Sequence, residues 1–312
     1  MSDDFEFIDG LTETTEEDME CFDFCMAQSI PFTAHWENLN DDMKVFQWDS
    51  EWEKYIKHRA EVIDQEGRES YLPWNLYKSL GLNWVDGYAK KQGTGDCASF
   101  GHFNACKASM LSNARRTGKM PREFALSVAY GIARGNGKMS FGSGCNLNPL
   151  SKWTATIGNY WTSDFGKYDV GRYISKYRKG SQQDKNALKT QTIPIYLPSP
   201  SFDYCYAVCS AGFGITIGSG VYPTGSTVNG DGLGQASSWK NGGHAVALIA
   251  AWKAKSGKRY VFLENSHGQK YAADSLSGGV RQWGCWMSEA DIKRMGTEKF
   301  GRWYVSLTEM GG

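Results

Sequence analysis

The sequence predicts an α+β protein with a helical first half, a strand-rich second half and an acidic extension in front. Three observations carry this. Apolar residues recur at helical spacing ahead of Ile193, strand-like runs separated by Gly/Ser turns follow it, and the two do not alternate as in a βαβ series. The expected boundaries are an acidic extension over 1–85 packed on the body, a helical lobe over 86–192 and a β-rich lobe over 193–312.

In chain order, EWEKYIKHRAEVIDQ (51–65) brings Trp52, Tyr55, Ile56, Val62 and Ile63 round at helical intervals. Residues 97–111 place Phe100, Phe103, Cys106 and Met110 on one helical face. PREFALSVAYGIAR (121–134) reads as a third helix, with Pro121 suited to its first turn. GNGKMSFGSG (135–144) is a glycine-rich loop, and 152–161 and 169–177 read as short helices. The strand-like runs are YCYAVCSAG (204–212), FGITIGSG (213–220), HAVALIAAW (244–252), RYVFLEN (259–265) and RWYVSL (302–307). SEADIKRM (288–295) is a late helix opened by Ser288 with Asp291 three residues on.

The chain has 312 residues, 41% of them hydrophobic, which is ample for a core. With 34 basic and 34 acidic residues it is not the strongly basic chain that generic nucleic-acid binding needs. No apolar run approaches a membrane span, and MSDDFEFIDG has neither the basic region nor the apolar stretch of a secretory signal. A cytoplasmic or virion-associated location is expected, without membrane contact. The charge is unevenly spread. Residues 1–85 hold 20 acids and 6 bases, and residues 86–190 hold 6 acids and 17 bases. Phe22, Phe24, Trp36, Trp48 and Trp52 make the extension too aromatic for a solvated tail, so it is expected to pack on the basic region. The eight cysteines are expected to be thiols in a reducing compartment. Cys21/Cys25 and Cys205/Cys209 have a spacing that fits one helix face or one strand face, and small buried hydrophobes are the expectation, not a metal site.

Three segments carry chemistry. KQGTGDCASFG (91–101) sets Cys97 after a glycine-containing loop and at a helix start, where free N–H groups and positive potential stabilise a thiolate. NGGHAVALIAAW (241–252) puts His244 at the mouth of a buried strand, and KRYVFLENSHG (258–268) puts Asn265 at the end of the next. Neighbouring antiparallel strands would join His244 to Asn265, and the helix would deliver Cys97: a nucleophile, a base and a residue that orients the base.

Gln92-Gly93, Cys97, His244-Ala245-Val246 and Asn265-Ser266-His267-Gly268, in that order, resemble the papain-like cysteine proteases. The resemblance spans 86–312 and implies a two-lobed papain-like fold with peptide-bond hydrolysis through a Cys97 acyl-enzyme. It implies that His244 exchanges the proton, that Asn265 orients the imidazole, and that Gln92 with the Cys97 N–H forms the oxyanion hole. GSGCN (142–146) resembles the family's substrate loop, and the resemblance assigns Gly142, Gly144 and His267 to substrate binding. The chain departs from the pattern in places. Gln92 lies five residues before Cys97 instead of six, the family's loop cysteine is absent, and its partner would match Cys145. Ala98 stands where a Trp follows the nucleophile, and His267 stands for the Trp that shields the Asn–His bond. No cofactor and no metal are expected; the partner is a polypeptide substrate or a protein. Two other readings stay open. One is a papain-fold binding component of a large assembly such as a phage particle. The other is a cell-wall peptide amidase, because Asp96-Cys97-Ala98-Ser99-Phe100 resembles the Asp-Cys-Ser-Gly-Phe of that family.

Overall fold

The computed structural model describes residues 70–73, 92, 95–117, 147, 150–151, 154, 158–165, 181–187, 192–197, 201–210, 212–223, 233–238, 243–266, 284–296 and 302–308. The acidic residues 1–69, the helices expected at 51–65, 121–134 and 169–177, and the loop at 135–144 lie outside them. Five helices are used below: α1 (Cys97–Thr117), α2 (Thr162–Phe165), α3 (Gln182–Ala187), α4 (Phe202–Ser210) and α5 (Glu289–Gly296). The strands are β1 (Ser70–Tyr71), β2 (Thr192–Leu197), β3 (Gly214–Ser219), β4 (Val221–Tyr222), β5 (Leu233–Gly234), β6 (Ser237–Ser238), β7 (His244–Lys253), β8 (Arg259–Glu264), β9 (Gly284–Met287) and β10 (Arg302–Thr308).

The main sheet runs β2-β10-β3-β7-β8-β9-β5, with β1 added to β7 and a separate β4–β6 pair. Every pairing is antiparallel except β5 with β9. The long strand β7 organises the sheet. Its first half pairs β3 (Ser219 opposite His244), its outer end pairs β1 (Ser70 opposite Trp252), and β8 lines its other edge. Residues 244–251 of β7 are all buried because both faces of the sheet are covered. Val246 and Leu248 pack with α4 and α5, whereas Ala247, Ile249 and Ala250 face α1. Each fully buried Val, Leu or Ile contributes about 1.5–3 kcal/mol, so a strand buried on both sides needs no alternation.

Most strand expectations hold at 213–220, 244–252, 259–265 and 302–307, and the 288–295 helix is α5, capped where Asp291 N–H donates to Ser288 Oγ at 3.4 Å. Residues 204–212 are a correction: the run expected as a strand lies almost wholly within helix α4. Ser201 Oγ accepts the Tyr204 N–H at 3.1 Å and closes the front of the helix. At the back, Gly212 N–H donates to Cys209 O at 3.0 Å and Phe213 N–H donates to Val208 O at 3.1 Å, with Gly212 at φ 90°. Cys205 and Cys209 therefore share a helix face, and burial raises both thiols above their ordinary range. The helix expected over 152–161 ends sooner, because Gly158 is left-handed (φ 97°) and 158–160 lie outside any helix. The five described cysteines (Cys97, Cys106, Cys205, Cys209 and Cys285) are buried thiols. Among the described residues no helix is long and apolar enough to cross a membrane.

Helix α1 crosses the sheet at very short range. A Cβ on Gly214 would stand 2.2 Å from the Ala105 carbonyl oxygen, so β3 and α1 touch backbone to backbone. Ser109 closes the contact: its Oγ accepts the Gly214 N–H at 3.1 Å and donates to Ala105 O at 3.3 Å. Deeper in this layer His102 is fully buried, with Cys106 Sγ 3.4 Å from its Nε2 and its ring edge-on to Phe103. Burial lowers the His102 pKa from 6.5 to about 3. Between those values the unfolded chain binds a proton that the folded chain refuses. Stability therefore falls as the pH drops through that window, by about 1.4 kcal/mol per unit at full difference. A His102→Gln variant is expected to show a flatter loss between pH 6 and pH 4. Urea midpoints across that range check this; parallel profiles for the two proteins would contradict it.

Candidate active site

Cys97 is the first residue of α1, and the Asp96 carbonyl accepts the Phe100 N–H at 3.2 Å. The chain thus enters the helix at Asp96 and holds Cys97 in the first turn, where backbone N–H groups lack helical acceptors. Gly101, one turn on, seats this end of α1 against the start of β7. A Cβ there would stand 3.1 Å from Val246 N and O and 3.2 Å from the Ala245 carbonyl carbon. Those two residues follow His244, so the first turn of α1 and the first residues of β7 are in backbone contact.

His244 is fully buried, and its Nε2 lies 2.7 Å from Asn265 Oδ1. An amide oxygen only accepts, so Nε2 carries the hydrogen and the neutral ring has its lone pair at Nδ1. Asn265 Oδ1 also accepts the Ser266 N–H at 2.7 Å, which fixes the amide in this orientation. Asn265 stands directly after β8, the strand antiparallel to β7. Across the ring, Tyr222 covers His244 with centroids 4.5 Å apart and planes tilted 40°. Tyr222 is itself fully buried and is carried by β4, just past the turn that ends β3. Ser219 Oγ accepts the Val221 N–H at 3.0 Å and lies 3.2 Å from the Met295 carbonyl, which holds that turn to α5.

Gln92 joins the same network. Its N–H donates to Ser266 O at 2.9 Å, and the Ser266 hydroxyl donates to its Oε1. Three of the residues named by the sequence therefore come together, and the fourth lies on the adjoining helix. Gln92, His244 and Asn265 are linked by hydrogen bonds through Ser266, and Cys97 sits on the helix end seated against the His244 strand. Gly142, Gly144, Cys145 and His267 lie outside the described residues. Two participants were missed by sequence reasoning. Ser266 had a signal, since it adjoins Asn265; Tyr222 had none, since only the fold brings it to His244. Among the described residues no group of three or more His, Cys, Asp or Glu could hold a metal ion.

No family model matches this chain, and no curated protein matches it. Solved structures do. The cysteine protease and lectin-like domains of Cwp84, a surface layer associated protein of Clostridium difficile, share 15% identity at a TM-score of 0.52, over 77% of this chain and 52% of that one. The clostridial cysteine protease Cwp84 after propeptide cleavage shares 16% identity at a TM-score of 0.51, over 75% of this chain and 56% of that one. The chain spans about half the length of these two relatives. Likeness at such identity speaks for architecture alone, and the architecture is the α+β fold of the papain-like cysteine proteases.

Proposed function

We propose that this protein is a cysteine peptidase that cleaves peptide bonds through a Cys97 acyl-enzyme. The observation that carries the reading is the buried His244–Asn265 hydrogen bond, which engages Nε2 and leaves the ring lone pair at Nδ1. In this reading the Cys97 thiol gives its proton to His244 Nδ1 and attacks the scissile carbonyl carbon. The oxygen gains negative charge between the Cys97 N–H and the Gln92 carboxamide, which stabilise it. His244 then protonates the leaving amine, and water, deprotonated by the same nitrogen, hydrolyses the thioester. Asn265 keeps the ring aligned through both proton transfers, and the Tyr222 face excludes water from one side of it.

A peptidyl epoxide with a generic fluorogenic peptide tests this reading. One adduct per chain is expected on Cys97, and hydrolysis should fall by about 10⁴-fold or more in Cys97→Ala. Cys97 and His244 are fully buried, so labelling is followed over hours. Absence of any Cys97-dependent adduct or hydrolysis would favour the papain-fold binding component instead.

A further inference from the structure

We infer that the β7–β8 hairpin is the docking surface for the acidic N-terminal segment of the same chain, residues 1–69, which reaches it by continuing the β1 edge. The hairpin stands at the end of the sheet remote from His244, and its role does not depend on the peptidase reading. Lys253 lies nine residues beyond His244 along β7, about 30 Å at the usual strand rise. There the chain turns through Ala254 to Lys258. Ala254 N–H donates to Lys258 O and Gly257 N–H donates to Ala254 O, each at 2.8 Å, with Gly257 at φ 82°. Residues 253–259 hold Lys253, Lys255, Lys258 and Arg259 and no acid. Arg259 is already engaged: its guanidinium pairs with Asp203 and lies over the Tyr206 and Phe202 rings at 5.0 and 5.7 Å. Lys255 and Lys258 are exposed and present their charge to solvent. Beside them Trp252 and Tyr260, opposite each other across the two strands, stack at 5.4 Å and are only half-buried. A fixed turn that carries cations next to aromatic surface fits an acidic chain rich in aromatic residues.

Direction, charge and tether make that chain the protein's own N-terminus. β1 pairs antiparallel with the outer end of β7, Tyr71 opposite Ala251 and Ser70 opposite Trp252. Stepping back from Tyr71 to Ser70 therefore leads towards the hairpin, and one further step of this register would set Glu69 opposite Lys253. Residues 1–69 hold 20 acids and 5 bases, with Glu61, Asp64, Glu66 and Glu69 in the stretch that leads into β1. Being covalently joined, this segment meets the hairpin at a high effective concentration, which a free acidic partner lacks.

Carbodiimide, which joins a lysine amine to a carboxylate in contact with it, tests this on the full chain. Lys255 and Lys258 are expected to cross-link to Asp or Glu residues of 1–69, located by mass spectrometry of the digested protein. In a mixture of unlabelled and nitrogen-15 chains the links should fall within one chain. They should fade at about 0.5 M sodium chloride, where exposed charges are screened within about 5 Å. A second measurement needs no lysine chemistry. Lys255→Glu combined with Lys258→Glu changes exposed positions and keeps Gly257, so the hairpin should fold as before. Thermolysin cleavage within 1–69 should quicken about 3–10-fold in this variant, the effect of losing a few exposed ion pairs. Lys185→Glu, a reversal at an exposed site on α3, should leave that rate unchanged. Four results would overturn the assignment: no link from either lysine to 1–69, links only between differently labelled chains, an unchanged cleavage rate in the double variant, or an equal response to Lys185→Glu. Links only between differently labelled chains would make a second copy the occupant instead.

Discussion

Replacing His244 with glutamine is expected to lower kcat/KM on a peptide substrate by about 10³–10⁴-fold, at the upper end of what a general acid–base group contributes. The side chain that replaces it is polar and of similar size, so the strand should fold as before, yet it neither takes up nor releases a proton at neutral pH. Both proton transfers are lost together. Iodoacetamide alkylation of Cys97 at neutral pH should fall as well, because in the proposed mechanism His244 takes up the thiol proton. Steady-state kinetics beside alkylation rates at pH 7 make the comparison. A variant that retains wild-type hydrolysis would remove His244 from the chemistry.

A large loss of stability is expected at Gly214. An added methyl group there would lie 2.2–2.6 Å from the Cα, carbonyl carbon and oxygen of Ala105, all backbone atoms that cannot rotate aside. Relief requires α1 to lift from β3, which also strains the bond between Gly214 N–H and Ser109 Oγ. Overpacking of this kind costs about 3 kcal/mol or more, so Gly214→Ala should unfold at a clearly lower urea concentration or fail to accumulate. An Ala variant within about 0.5 kcal/mol of wild type would show that the layers separate freely and that the close approach is not required.

Much of this arrangement was legible in the sequence. Helix α1 could be read because Cys97 follows a glycine loop and precedes an apolar helical face; it runs to Thr117, further than the apolar face reached. His244 and Asn265 could be placed on paired strands because both runs are uninterruptedly apolar up to a polar end. Helix α4 was misread because it is buried nearly all round, so no polar face marked its period, and its aromatic and β-branched residues favour strands. Its true signals, Ser201 in front and Gly212 behind, were there and were outweighed. Strands β5 and β9 have two and four residues and were too short to announce themselves. Ser266 and Gln92 are 174 positions apart, and Tyr222 reaches His244 only through the β3–β7 pairing. Contacts of that kind are set by tertiary packing and leave no local trace.

The meeting of α1 with the sheet bears on how far such a protein can drift in sequence. At Gly101 and Gly214 the two layers touch through main-chain atoms, and every residue has a main chain. The contact asks only that a side chain be missing at a few positions. It prescribes no partner chemistry elsewhere, so neighbouring core residues are free to turn over as long as volume is kept. A chain built this way can keep this fold while retaining about one residue in six of a structural counterpart, as the 16% identity to the clostridial protease illustrates.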